Sequence, residues 1–174
     1  MLWEPWEALK PDKTPYKVFT PFYKNCLKTK EPRKPFKSPE SLDLLKDNSS
    51  LEIAQLNLLP KINWHKSIEN QWKIGEENAQ ERLLEFIKNG LENYQEGRNV
   101  PSKNSVSRLS PHLRFGEISP NQIWREVEIK LMTNPDLTTN INHFLMEIGW
   151  REFCYNLLYY FRDLPSKNFN KKFD

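Results

Sequence analysis

The chain has 174 residues, 37% of them hydrophobic and 28% charged, with a formal net charge of +3. Such a length holds one domain with a real core, the charge is too small to identify a polyanionic partner, and no stretch approaches the apolar length of a membrane span. The opening "MLWEPWEALK" lacks the basic-then-apolar layout of a signal peptide, and Cys26 and Cys154 form no CxxC pair, so the chain reads as cytoplasmic.

In the first forty residues stand seven of the thirteen prolines, interleaved with Trp3, Trp6, Tyr16, Phe19, Phe22, Tyr23 and Phe36. Repeated proline opposes regular helix, while the aromatic rings demand burial. The expectation for 1–40 is an extended segment lying on another part of the protein. Residues 41–73 are Asn- and Lys-rich and show no usable periodicity.

The run "GEENAQERLLEFIKNG" predicts a helix. Ala79, Leu83, Phe86 and Ile87 form its stripe, acids crowd its first turn, and Gly90 is expected to supply a left-handed cap. After the loop "YQEGRNVPSKNSV", "SRLSPHLRFG" predicts a short helix with Ser110 as N-cap, Pro111 at its first position and Gly116 as its stop. "SPNQIWREVEIKL" repeats the device, with Ser119 and Gln122 as a capping box. A final helix from about Asn140 to Phe161 is apolar on nearly every side, which usually means burial. A polar tail, "DLPSKNFNKKFD", follows. No segment shows strand alternation, so the class is all-α.

Two stretches carry chemistry. "SVSRLSP" sets Ser105, Ser107 and Ser110 around Arg108 before a helix start, where backbone N–H groups, hydroxyls and a guanidinium suit a phosphate. The same letters also begin many helices that bind nothing. Around "GWREF", Glu147, Arg151 and Glu152 stand beside Trp150 within the apolar helix, and buried charges are costly unless paired or used. Glu147 and Arg151 have the favoured order for an i, i+4 pair. They are therefore a structural pair, or the floor of a pocket whose face Phe144, Glu147, Arg151 and Cys154 share. Basic residues cluster locally, eight Lys/Arg against three acids over 11–40 and five against one over 98–125, which suits phosphates or a solvated loop. His65, His112 and His143 are scattered without metal-ligand spacing.

Taken together, "YKVFTPFYKNCL", "SRLSPHLRFGEISPNQIW" and "FLMEIGWREFCYNLLYYFRDLPSKNFNKKFD" resemble the photolyase/cryptochrome family. "GWREF" and "LPSKNF" look most like the class I cyclobutane-dimer photolyases. The resemblance implies the N-terminal half of a FAD-binding helical domain: 1–40 as the end of an antenna domain and its linker, 41–174 as a partial helical domain. It implies light-driven splitting of pyrimidine dimers in UV-damaged DNA by reduced FAD, with the dimer flipped into a pocket. By resemblance, Tyr94 and Phe144 lie on the flavin, and Val106, Ser107, Arg108, Leu109 and Ser110 form its phosphate clamp. Glu147 and Trp150 receive the dimer, and Arg98, Arg151 and Cys154 complete the DNA side. The family usually carries Thr where Val106 stands, so a hydroxyl is lost there: either Ser105 next door compensates, or the contact at 106 is absent or made by backbone alone.

The resemblance further implies that the antenna pigment, folate or deazaflavin, belongs to a preceding domain not present here. Part of the flavin pocket belongs to a following segment. The expectation is thus a fragment, inactive alone, of a protein that is monomeric when full length. Rival readings are a cryptochrome without repair activity and a flavin-free helical module that binds DNA or protein.

Overall fold

In the computed structural model, residues 1–45 and 50–173 are described, and their regular elements are all helical. Asp174, the end of the expected polar tail, lies outside the described residues. The helices are α1 (Phe19–Thr29), α2 (Lys66–Glu69), α3 (Glu76–Asn89), α4 (Tyr94–Gly97), α5 (Ser110–Phe115), α6 (Pro120–Thr133) and α7 (Thr138–Tyr160). The 23-residue α7 is the axis of the fold, and α1, α4 and α6 pack against it. Its buried side chains include Ile141, Phe144, Ile148 and Phe153, which meet Leu83 and Phe86 from α3 and Ile123 and Val127 from α6 in one core.

The N-terminal segment is corrected in one place. Expected extended throughout, it contains α1, with Pro21 at the third helical position. The N–H groups of a first turn have no intrahelical partner, so proline there forfeits no bond. The helix buries Phe19, Phe22 and Cys26 on one face. The rest of the segment does lie on another element. Leu2 N–H donates to the Glu152 carboxylate at 2.7 Å, and the Pro5 carbonyl accepts from Asn156 Nδ2 at 3.4 Å and the Tyr160 hydroxyl at 3.2 Å. The Trp3 indole N–H donates to the Lys30 carbonyl at 2.8 Å, closing the segment on the end of α1.

Between α3 and α7 the caps follow the sequence unevenly. Ser119 accepts from the Gln122 N–H at 3.1 Å, and the Gln122 side chain accepts from Ser119 N–H at 2.8 Å, the full capping box. Gly116, at φ +77°, ends α5 as expected. Gly90 does not adopt the expected left-handed cap: its φ is −107°. Its need for glycine is steric, since a Cβ there would lie 2.8 Å from the Phe86 ring. Ser110 is the first residue of α5 rather than its cap. Leu109 precedes it with no side-chain bond to the helix.

Candidate functional site

Along one face of α7, burial falls steadily toward the C-terminus: Phe144 is buried, Glu147 and Arg151 are half-buried and Cys154 is exposed. The i, i+4 pair expected of Glu147 and Arg151 does not form. Arg98, just after α4, instead brings Nη1 to 2.5 Å from Glu147 Oε1, a bond that holds its guanidinium above the usual arginine range. Its Cζ lies 5.4 Å from the centre of the Tyr94 ring, a cation–π contact. Arg151 Nη1 donates to Glu152 Oε1 at 2.7 Å. Glu152 is fully buried, and burial lifts its carboxyl above the usual range despite the Leu2 N–H and Arg151 donors. The charges around "GWREF" therefore split. Glu147 is partly exposed and paired with Arg98, whereas Glu152 sits in packed core and fastens the chain's first residues.

Trp150 is 42% exposed. Phe19 of α1 lies parallel to it, with ring centres 3.7 Å apart and planes 12° apart, and Phe153 meets it edge-on at 6.0 Å. One residue earlier, Gly149 lets α1 approach: a Cβ there would stand 2.5 Å from the Tyr23 ring. The sequence marked Trp150 as a platform but missed its backing, because Phe19 and Tyr23 were read as part of an extended arm.

Tyr94 and Phe144 do come together, in an edge-to-face contact at 5.3 Å, with Phe86 packed on both. Each is almost entirely buried, and burial raises the Tyr94 hydroxyl above its usual range. They form the floor beneath the Arg98–Glu147 pair.

The serine stretch is an open loop leading into α5. Arg108 is exposed at φ +54°, a left-handed conformation unusual for a residue with a side chain, and it forms no ion pair among the described residues. Ser107 Oγ accepts weakly from Leu109 N–H at 3.4 Å, and Ser110 is exposed. Leu109 is buried, so only its backbone is available to a ligand, while the Val106 side chain is partly exposed and offers no polar group. Ser105 is buried against Gly97, where a Cβ would come within 2.3 Å of its Oγ. It therefore stands in the packing of α4 and does not replace the hydroxyl missing at 106. The six residues of α5 make a weak dipole, so the free guanidinium and hydroxyls carry the case for an anion.

Beyond α5 the sequence missed a pairing and a concavity. His112 is buried with Nδ1 2.5 Å from Glu117 Oε2, which depresses the Glu117 carboxyl. Next to it lies a cleft of about 600 Å³ walled by Trp64, Ile68, Trp72, Ile74 and Phe115. No periodicity in 41–73 signals this wall. No cluster of three or more His, Cys, Asp or Glu able to hold a metal occurs among the described residues, and no helix there is long and apolar enough to cross a membrane.

No family model matches the chain. It is 41% identical over 162 residues to the deoxyribodipyrimidine photo-lyase of Agrobacterium fabrum, covering 92% of this chain and 33% of that protein. The crystal structure of a bacterial class III photolyase from Agrobacterium tumefaciens superposes on all of this chain with a TM-score of 0.91 at 39% identity, over 36% of its own length. The chain is a homologue of the photolyases and cryptochromes. Among these relatives, the deoxyribodipyrimidine photo-lyase of Synechococcus sp. is 32% identical over 95% of the chain and 36% of its own length. Cryptochrome-1 of Arabidopsis thaliana is 28% identical over 88% of the chain and 24% of its own length. The chain thus spans about a third of the length of the photolyases it matches. The expected class I subtype finds no support in these names, the solved relative being of class III.

Proposed function

We propose that this chain contributes to a deoxyribodipyrimidine photo-lyase, a FAD-dependent enzyme that splits pyrimidine dimers in UV-damaged DNA. The observation that carries the reading is the pairing of an open aromatic face, Trp150, with the partly exposed Glu147–Arg98 pair one turn away on α7. A flat ring offers a stacking surface to an unpaired base, worth about 1–3 kcal/mol. Beside it the Glu147 carboxylate accepts a hydrogen bond from the base edge, and Arg98 and Arg151 supply positive charge toward the DNA backbone.

The residues also fit a dinucleotide flavin. Arg108, Ser107 and Ser110 are free or weakly bonded groups suited to its phosphates. Tyr94 and Phe144 form an apolar floor for a ring system, although their burial limits them to edge contact. When bound, reduced FAD supplies the light-driven electron, and the chain's residues hold the two partners in place and keep water out. We place the protein in the cytoplasm and expect a monomer.

The test is repair of an oligonucleotide containing a single thymine dimer by the whole protein, in light and in darkness. Light-dependent recovery of the undamaged strand supports the reading. A flavoprotein that absorbs blue light but leaves the dimer intact supports the cryptochrome reading. A protein without flavin absorbance supports the flavin-free module.

A further inference from the structure

We propose that Phe19 is a positioning residue for damage recognition, setting the plane of Trp150 and closing one of its faces so that a flipped base meets only the other. The proposal rests on the assignment of Trp150 as the stacking ring. Gly149 sets the geometry. Only a residue without Cβ allows the Tyr23 ring to lie on the α7 backbone, because a Cβ would stand 2.5 Å away. Tyr23 thereby fixes the approach of α1. Phe19 is one helical turn before Tyr23, so it projects from the same face, and the two rings stack at 5.3 Å with planes 15° apart. Trp150 is the next residue of α7, and its indole continues the stack at 3.7 Å and 12°.

The result is a three-ring column, Tyr23–Phe19–Trp150, whose middle ring is buried between a partly buried Tyr23 and an exposed Trp150. Phe19 is 7% exposed and Trp150 is 42% exposed. Phe153 braces both, meeting Phe19 at 5.9 Å and Trp150 at 6.0 Å in edge contacts. With Phe19 on one face and Phe153 at the edge, the exposed surface of Trp150 is the opposite face and outer rim. A base seated there becomes the fourth ring of a column whose other three are already ordered. The ordering cost is met before DNA arrives, which is how preorganisation favours binding. A ring free to rotate would stack less well on a dimer whose bases have lost their flat aromatic form.

The experiment compares Phe19→Tyr, Phe19→Met and Trp150→Ala in the whole protein. It reads the ratio of dissociation constants for dimer-containing and undamaged oligonucleotides, together with melting temperature and light-driven repair. Phe19→Met keeps apolar bulk but removes the flat ring, and should lower the ratio about tenfold. Phe19→Tyr keeps the ring and should retain the ratio within about twofold. A purely structural Phe19 predicts lower melting temperatures with an unchanged ratio per folded molecule, and that result overturns the proposal. So does failure of both Phe19 variants to fold, which would make the residue core and nothing more. If Trp150→Ala leaves the ratio unchanged, the stacking assignment itself has failed. If Trp150→Ala lowers it and Phe19→Met does not, the assignment stands and the role of Phe19 is refuted.

Discussion

Replacing Glu147 by Gln should cost the fold little and repair a great deal. The Arg98 and Glu147 side chains are 30% and 33% exposed, so water screens their attraction. An ion pair in that setting contributes about 0.2–1 kcal/mol. For a chain of this size, a loss of 1 kcal/mol lowers the melting temperature by about 2–4 °C. Arg98 is not stranded by the change, because it keeps the Tyr94 ring and access to solvent. Arg151 is untouched, since its partner is Glu152. The fold should therefore melt no more than about 4 °C lower. At the site, glutamine keeps one acceptor oxygen but removes the charge, so affinity for dimer-containing DNA should change by about threefold or less, ~0.7 kcal/mol. Repair per photon absorbed should fall about tenfold, because the charged acceptor that steadies the dimer against electron return is gone. Melting curves, gel-shift titrations and a repair assay on one preparation measure all three. A larger fall in melting temperature, with repair per folded molecule unchanged, would show that Glu147 is a structural partner of Arg98 and refute the assignment.

Arg108→Gly removes the guanidinium while glycine accepts φ +54° without strain, so stability should hold. FAD retention should weaken by an order of magnitude or more, about 1.5–3 kcal/mol for a charged hydrogen bond, and unchanged flavin occupancy with weaker DNA binding would move Arg108 to the DNA surface. Glu152→Gln keeps an acceptor for Leu2 N–H. Because burial raises the folded-state pKa above the usual 4.5, the side chain's favourable contribution is present below that value and lost as pH rises through the raised one. Denaturant titrations from acid to neutral pH should thus show the wild-type protein losing ground to Glu152→Gln, and a pH-independent difference contradicts this. Glu152→Ala leaves Leu2 N–H without its partner and should be less stable at any pH, by about 1–3 kcal/mol. Gly149→Ala should destabilise by about 1–3 kcal/mol through collision with Tyr23, although alanine favours helix; an unchanged denaturation midpoint would mean that α1 shifts freely on α7.

Local chemistry was legible where it is self-contained. The capping box at Ser119, the Ala79–Leu83–Phe86 stripe of α3 and the stop at Gly116 are written within a few residues and are formed by them. The apolar α7 was equally plain. What failed involved partners distant in sequence. Glu147 chose Arg98, 49 positions away, over the neighbour four positions on. Gly90 owes its identity to the Phe86 ring rather than to its own dihedral angles. Pro21 concealed α1, because a count of prolines ignores where in a helix each one falls. At the candidate site, the resemblance drew attention to Trp150 and Glu147, but nothing local revealed that Phe19 lies behind the indole. Cys154, on the apolar helix, is exposed, while Cys26 on α1 is buried and its thiol is pushed up to about 12 by that burial, an environment the sequence did not signal.

The bond from Leu2 to Glu152 spans 150 residues of chain. A ribosome adding about 5–20 residues per second needs on the order of 10 s to bridge that distance. Throughout that interval Leu2 and Trp3, both apolar and destined for the core, have no α7 to lie on. Contacts so remote in sequence also form slowly once the chain is complete, because loop closure must precede any reward. Leu2 thus waits for α7 long after Trp3 can close on Lys30, 27 positions along, so the two neighbours are secured at different stages of synthesis.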